Sequence, residues 1–157
     1  MRRKEKEVTD VAEIIKIIEE CDCCRIGLHD GENIYIVPLN FGYTARDGHI
    51  DLYFHGAPVG KKIELMRRNP NVGFEMDTGH SLVTSEDACN FSFRYKSIIG
   101  RGTIEIIDDF AEKSRALNIM MSHYSEKSDW DFPPQVLERT AVMRLSVCEM
   151  TCKVSKG

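Results

Sequence analysis

Between Arg25 and His55 the chain runs through successive β-rich stretches joined by turn residues, with no room for a helix between them. Parallel neighbours need a crossover of a dozen or more residues, usually a helix, so strands that follow one another this directly pair antiparallel. Residues 25–29 and 34–39 flank Asp30-Gly31-Glu32-Asn33, a hairpin-turn composition. Ile50, Leu52 and Phe54 then alternate with Asp51, Tyr53 and His55 after the turn Arg46-Asp47-Gly48. That pattern predicts a half-buried strand whose polar face carries the tyrosine and the histidine.

The remaining periodicities complete the expected architecture. Val72, Phe74 and Met76 alternate, residues 78–88 are polar and without period and read as a surface loop, and residues 93–107 form a long strand. Gly100 and Gly102 near its middle predict a sharp bend. Ala141, Met143, Leu145 and Val147 alternate with Val142, Arg144, Ser146 and Cys148 as a last strand. Helical spacing of Val11, Ile14, Ile15 and Ile18 behind an Asp10…Glu13 capping pair predicts a helix over about 9–20. A short helix over 61–68 stops at Asn69-Pro70, because the residue before proline resists the α region. Phe110, Ser114, Leu117, Met121 and Tyr124 space out another. About six strands and two or three helices predict a mainly β, α+β fold: an antiparallel barrel with peripheral helices.

Composition narrows the function classes. At 157 residues the chain suits one domain over 1–157, with 1–8 a flexible N-terminus. Twenty-one Lys+Arg against 25 Asp+Glu, net −4, leaves no electrostatic footprint for nucleic acid, and no apolar run is long enough for a bilayer span. The charged start without an apolar h-region leads to the expectation of a cytoplasmic protein. Six cysteines then read as thiols; a four-thiolate zinc site can be drawn from Cys21, Cys24, Cys148 and Cys152, but Cys24 and Cys148 fall inside strand-like runs and core packing is the better reading.

Three segments carry candidate chemistry. In His55-Gly56-Ala57-Pro58-Val59-Gly60-Lys61-Lys62 a strand ends at a histidine and two lysines open the next helix, where the macrodipole disfavours cations. An anion bound at that helix start resolves the conflict; lysines snorkelling into water are the plain alternative. Val37-Pro38-Leu39-Asn40-Phe41-Gly42-Tyr43 contains a proline that removes a ladder N–H, so the segment is an edge or a bend. Its Asn40 and Phe41 backbone groups are then free for a flat heteroaromatic ring, unless Phe41 and Tyr43 merely cover the barrel end. Arg94-Tyr95-Lys96-Ser97-Ile98-Ile99-Gly100 places basic and hydroxyl donors on a strand, suiting a phosphate or a solvated face.

Together with Leu52-Tyr53-Phe54-His55 and Asn69-Pro70-Asn71-Val72, these segments in this order resemble the FMN-binding split barrels related to pyridoxamine 5'-phosphate oxidase, most closely the branch of 5-nitroimidazole resistance proteins. The resemblance implies a homodimer with FMN at the subunit interface. It makes Pro38, Leu39, Asn40 and Phe41 the edge along the flavin ring, His55, Gly56 and Ala57 the strand end by the ring and ribityl chain, and Lys62, with Lys61 as neighbour, the phosphate lysine. Tyr95, Ser97 and Ile98 flank the ribityl phosphate on the same terms, and Trp130 reaches the partner's flavin. Thr151-Cys152-Lys153 departs from the family's pattern, in which a glycine precedes the lysine.

The expected function is an FMN-dependent oxidoreductase that reduces nitroaromatic or similar small acceptors, with NADH or NADPH as electron source. His55 is the candidate proton donor, since imidazole titrates near neutral pH, with a structural contact to the cofactor as the alternative. Other classes stay open: a flavin-storage or sensing module, a haem or pyridoxal phosphate binder, or a pyridoxamine 5'-phosphate oxidase. For haem, the sequence offers only the isolated His55, His80 and His123.

Overall fold

The computed structural model describes residues 4–127 and 129–157. In chain order the elements are β1 (Glu7–Val8), α1 (Val11–Glu19), β2 (Cys24–Asp30), β3 (Asn33–Leu39), β4 (Phe41–Arg46), β5 (His49–Gly56), α2 (Lys61–Arg68), β6 (Asn71–Val83), β7 (Ser92–Ile107), α3 (Phe110–Tyr124), α4 (Pro134–Glu138) and β8 (Ala141–Ser155), with single 3-10 turns at Lys4–Lys6 and Ala88–Asn90. All strands pair antiparallel in the order β3-β2-β6-β7-β8-β5-β4, and β1 adds to β8.

The sheet curls as a split barrel but does not close. Its two edges are β3 and β4, which are consecutive in the chain, and Asn40 alone carries the backbone from one edge to the other. Pro38 sits on that edge strand, where a missing N–H removes no ladder bond on the open side.

Two apolar layers hold the sheet. Inside the curl, Ile17 and Ile18 of α1 meet Ile26, Leu52, Phe54, Met76, Ile98 and Met143. Each such side chain, fully buried, contributes about 1.5–3 kcal/mol. Asp10 fixes the start of α1 by accepting from Glu13 N–H at 2.8 Å, the predicted cap, and Asp109 does the same for α3 from Glu112 N–H at 2.9 Å. On the other face of β5 and β8, α3 packs Ala116, Leu117 and Met120 onto Tyr53 and Val142. The face of β5 expected to be polar is therefore half covered: Tyr53 is buried and only His55 is exposed. Gly42 permits the approach, because a Cβ there would lie 2.6 Å from the Met120 Cα.

Other expectations need correction. Residues 78–83 are the outer half of β6 rather than loop; the hairpin arm they build with β7 is mostly exposed, so no alternation marks it, and Gly79, at φ 68°, accompanies the register shift between Thr78 and Ser81. Phe41–Arg46 is a full strand, and β8 runs on to Ser155. Of the expected flexible segment 1–8, residues 1–3 lie outside the described residues, while Glu7 and Val8 pair with Lys153 and Cys152. The bend at Gly100 and Gly102 is present as a register shift between Arg101 and Gly102; a Cβ on Gly102 would stand 2.2 Å from the Ser146 carbonyl oxygen. Among the described residues no helix is long and apolar enough to cross a membrane.

Candidate functional site

The end of β5 and the start of α2 form the first part of the site. Gly60, at φ 116°, turns the chain into α2 without any side-chain cap, so the first N–H groups of the helix face outward unsatisfied by a side chain. The two lysines part company here. Lys61 Nζ binds Asp30 at 2.6 Å and lies 4.8 Å from the Tyr35 ring centre; the hydrogen bond to Asp30 raises its pKa. Lys62 folds back over Gly56, where a Cβ would come within 2.9 Å of its Nζ. It is half-buried and has no anionic partner among the described residues. A cation held against bare backbone beside uncapped N–H groups is a place for an anion.

His55, in register with Val142, has an exposed side chain and no hydrogen-bond partner among the described residues. It lines a groove of about 560 Å³ together with Asn40, Leu117, Met120, Tyr124 and Phe132. Thus the sheet's split and the histidine-ended strand converge on one concave site.

At the split, the structure reassigns a donor. Phe41 N–H, expected to be free for a ring, donates to the Tyr124 hydroxyl at 3.0 Å, and its side chain is fully buried. Tyr124 O–H in turn donates to the Asp22 carbonyl at 2.9 Å, which also accepts from Asn40 Nδ2 at 3.2 Å. His123 stacks 4.5 Å from Phe41 and bonds the Cys21 carbonyl at 2.8 Å. The last turn of α3 thus clamps the crossover, a role for Tyr124 and His123 that sequence reading missed. Leu39 remains half-buried, and Pro38 and Ala57 are exposed.

Tyr95 and Ser97 stand elsewhere. Val142 is in register with both His55 and Ile107, and Ser97 lies ten positions before Ile107 on β7. That is about 33 Å of strand. Within one chain, Lys62 and Ser97 do not meet. Tyr95 accepts a hydrogen bond from Lys153, whose ammonium also lies 5.0 Å from the ring centre, and Ser97 stands in register with Asp77 and Lys153. Ile98 is wholly buried in the core, so it supports this strand from beneath instead of offering a side chain to a ligand. Trp130 is pinned by Asn118, which accepts its N–H at 2.7 Å and donates to its carbonyl at 2.9 Å, and Lys127 covers the ring at 3.8 Å.

Three of the six cysteines pack in the core. Cys21, Cys24 and Cys152 are buried, Cys89 and Cys148 exposed, and among the described residues no cluster of three or more His, Cys, Asp or Glu is placed to hold a metal. Burial pushes the Cys21 thiol up to about 12 and Cys152 to about 11, and raises Cys24 as well.

Comparison with known proteins agrees with this fold. Residues 10–154 match the model of the family described as pyridoxamine 5'-phosphate oxidase. A candidate 5-nitroimidazole antibiotic resistance protein of Bacteroides thetaiotaomicron is 38% identical, with TM-score 0.82 over 94% of this chain and 86% of that one. The flavocytochrome of Azotobacter vinelandii is 23% identical, with TM-score 0.80 over 100% of this chain and 72% of that one. An FAD-binding protein of Mesorhizobium loti is 22% identical, with TM-score 0.65 over 94% and 96%. At those identities, both show the shared fold. No curated protein matches the chain. With the model spanning nearly its whole length, the chain belongs to the pyridoxamine 5'-phosphate oxidase family.

Proposed function

We propose that this protein binds FMN between two copies of the chain and acts as an oxidoreductase on nitroaromatic or similar small acceptors, with NADH or NADPH as donor. The observation that carries the reading is Lys62: a half-buried ammonium, unpaired among the described residues, at an uncapped helix start and laid on Gly56, one residue along β5 from the His55 that lines the groove. Those residues fit a phosphate dianion, which meets a point charge and backbone donors together. The ring edge fits less fully, since Tyr124 already takes Phe41 N–H; Asn40 and the open side of β3 are what is left for it.

FMN, when bound, supplies the electron transfer from nicotinamide to acceptor. The chain's own part is to neutralise the phosphate through Lys62, to wall the site with α3 and to hold a proton at His55 for the acceptor's oxygen. The nitroimidazole-resistance description of the 38% identical relative supports the acceptor class, and the flavin-named neighbours support the cofactor.

The ten positions of β7 between Ser97 and Ile107, the residue level with His55 across β8, argue for a second copy, whose Tyr95 and Ser97 then reach the phosphate that Lys62 holds. The purified protein is expected to stay yellow through desalting; a Soret band in place of flavin absorbance overturns the cofactor assignment. His55→Gln is expected to keep the colour and lose about a hundredfold in turnover with nitro acceptors. Full activity in that variant leaves His55 a structural contact only.

A further inference from the structure

The anion site leaves the groove itself unexplained. Its walls are apolar, with Leu117, Met120, Met121, Phe132 and Val136 facing the space. The polar groups on its rim are largely engaged. Tyr124 O–H donates to Asp22, the Thr140 hydroxyl donates to the Val136 carbonyl at 2.7 Å, and Asn40 gives its amide N–H to Asp22. What stays free among the described residues is the His55 imidazole and the Asn40 side-chain oxygen. Among the described residues no lysine or arginine lines it.

A space of about 560 Å³ holds a small aromatic molecule with room to spare. A flavin ring, with several carbonyl and N–H groups along one edge, would leave most of them unpaired here. A carboxylate placed away from His55 would lie against apolar walls with no lysine or arginine of the described residues beside it. A flat ring bearing one oxygen-rich group matches both the apolar walls and the single free imidazole, and the two methionines adapt to a ring face.

We propose that this groove is the acceptor's own pocket, selecting uncharged aromatic compounds whose one nitro or quinone-like group points at His55, with Met121 and Val136 setting the size limit. The proposal rests on the oxidoreductase reading, yet its test separates the two. Titrate the protein as purified, labelled at its methionine methyls, with nitrobenzene and with 4-nitrobenzoate, and follow the methyl resonances. Saturable shifts at Met120 and Met121, with the core Met76 as an unmoved reference, are expected for nitrobenzene, and binding about a hundredfold weaker or less for the carboxylate. Val136→Trp, an exposed position at the mouth, is expected to abolish those shifts and raise KM for nitrobenzene about tenfold with flavin content unchanged. Equal binding of the two compounds, or methyl shifts that survive Val136→Trp, overturns the assignment; Met121→Trp repeats the test from α3, read at Met120. A colourless protein whose methyls still shift sinks the flavin reading and keeps the groove, whereas a yellow protein without shifts sinks the groove alone.

Discussion

Lys61 and Lys62 are neighbours in sequence and opposites in circumstance. One is tied to Asp30 and Tyr35 on the β2–β3 hairpin, the other lies alone over Gly56. A charge already paired contributes little to a new anion, whereas an unpaired one beside free N–H groups makes charge-assisted bonds. Lys62→Ala is therefore expected to weaken FMN binding about 10- to 100-fold, as loss of a hydrogen bond between charged groups does, while Lys61→Ala stays within about twofold. Quenching of FMN fluorescence measures both, and equal losses would show that neither lysine is singled out. That distinction was half legible in the sequence: two lysines in a first helical turn signal an anion, and only the fold reveals which one Asp30 has taken. Tyr124 was not legible at all. Its hydroxyl serves Phe41, 83 residues away, and no local pattern of residues announces a bond of that span.

Helix α3 governs the site because it lies directly on β4. The contact depends on Gly42, where any side chain would strike the helix backbone at Met120 rather than a flexible tip. Gly42→Ala is expected to destabilise the fold by about 1–3 kcal/mol, read as a lower urea midpoint, and to loosen the crossover that α3 clamps. An unchanged midpoint would mean that α3 sits farther off than these contacts require. Elements with one face in the core were readable from periodicity: α2 occupies 61–68 as expected, and Val72, Phe74 and Met76 all point inward. Where both faces share one environment the signal vanishes. The outer half of β6 is solvated on both sides and reads as loop, and Tyr53 and Val142, covered by α3, break the simple inside-outside alternation of β5 and β8. The bulge at Arg101 and Gly102 was foreshadowed by glycines that only a crowded bend demands.

The molecule as a whole shows two properties that no single element carries. Its core keeps three thiols protonated. The raised Cys21 and Cys152 values lie above the ordinary 9.0, so unfolding releases protons once the pH passes that ordinary value. Stability from these thiols is full below about pH 9 and declines toward pH 11–12, each contributing a slope of about 1.4 kcal/mol per pH unit inside its window. Urea midpoints from pH 8 to 11 measure this, and Cys152→Ala should flatten the curve. The second property is an outward face of mixed character. Ile34, Ile36 and Ile99 are each about 60% exposed, on a sheet face that also carries Pro38, Ser97 and Tyr95, with the Arg25–Glu75 ion pair lying between β3 and β7. Such a face suits a second copy, and the distance across the sheet between Lys62 and Ser97 makes that copy a requirement of the proposed site. The two arrangements differ in how they respond to mixing. Lys62→Ala removes the cation, and Ser97→Glu sets a like charge against the phosphate; each alone should bind FMN poorly. If one copy supplies Lys62 and the other Ser97, a hybrid dimer has one site carrying both changes and one carrying neither. Random reassortment then restores FMN to about a quarter of all sites. If each chain builds its own site, every site in the mixture carries one change and mixing restores nothing, so FMN bound per chain after co-refolding the two variants decides between them.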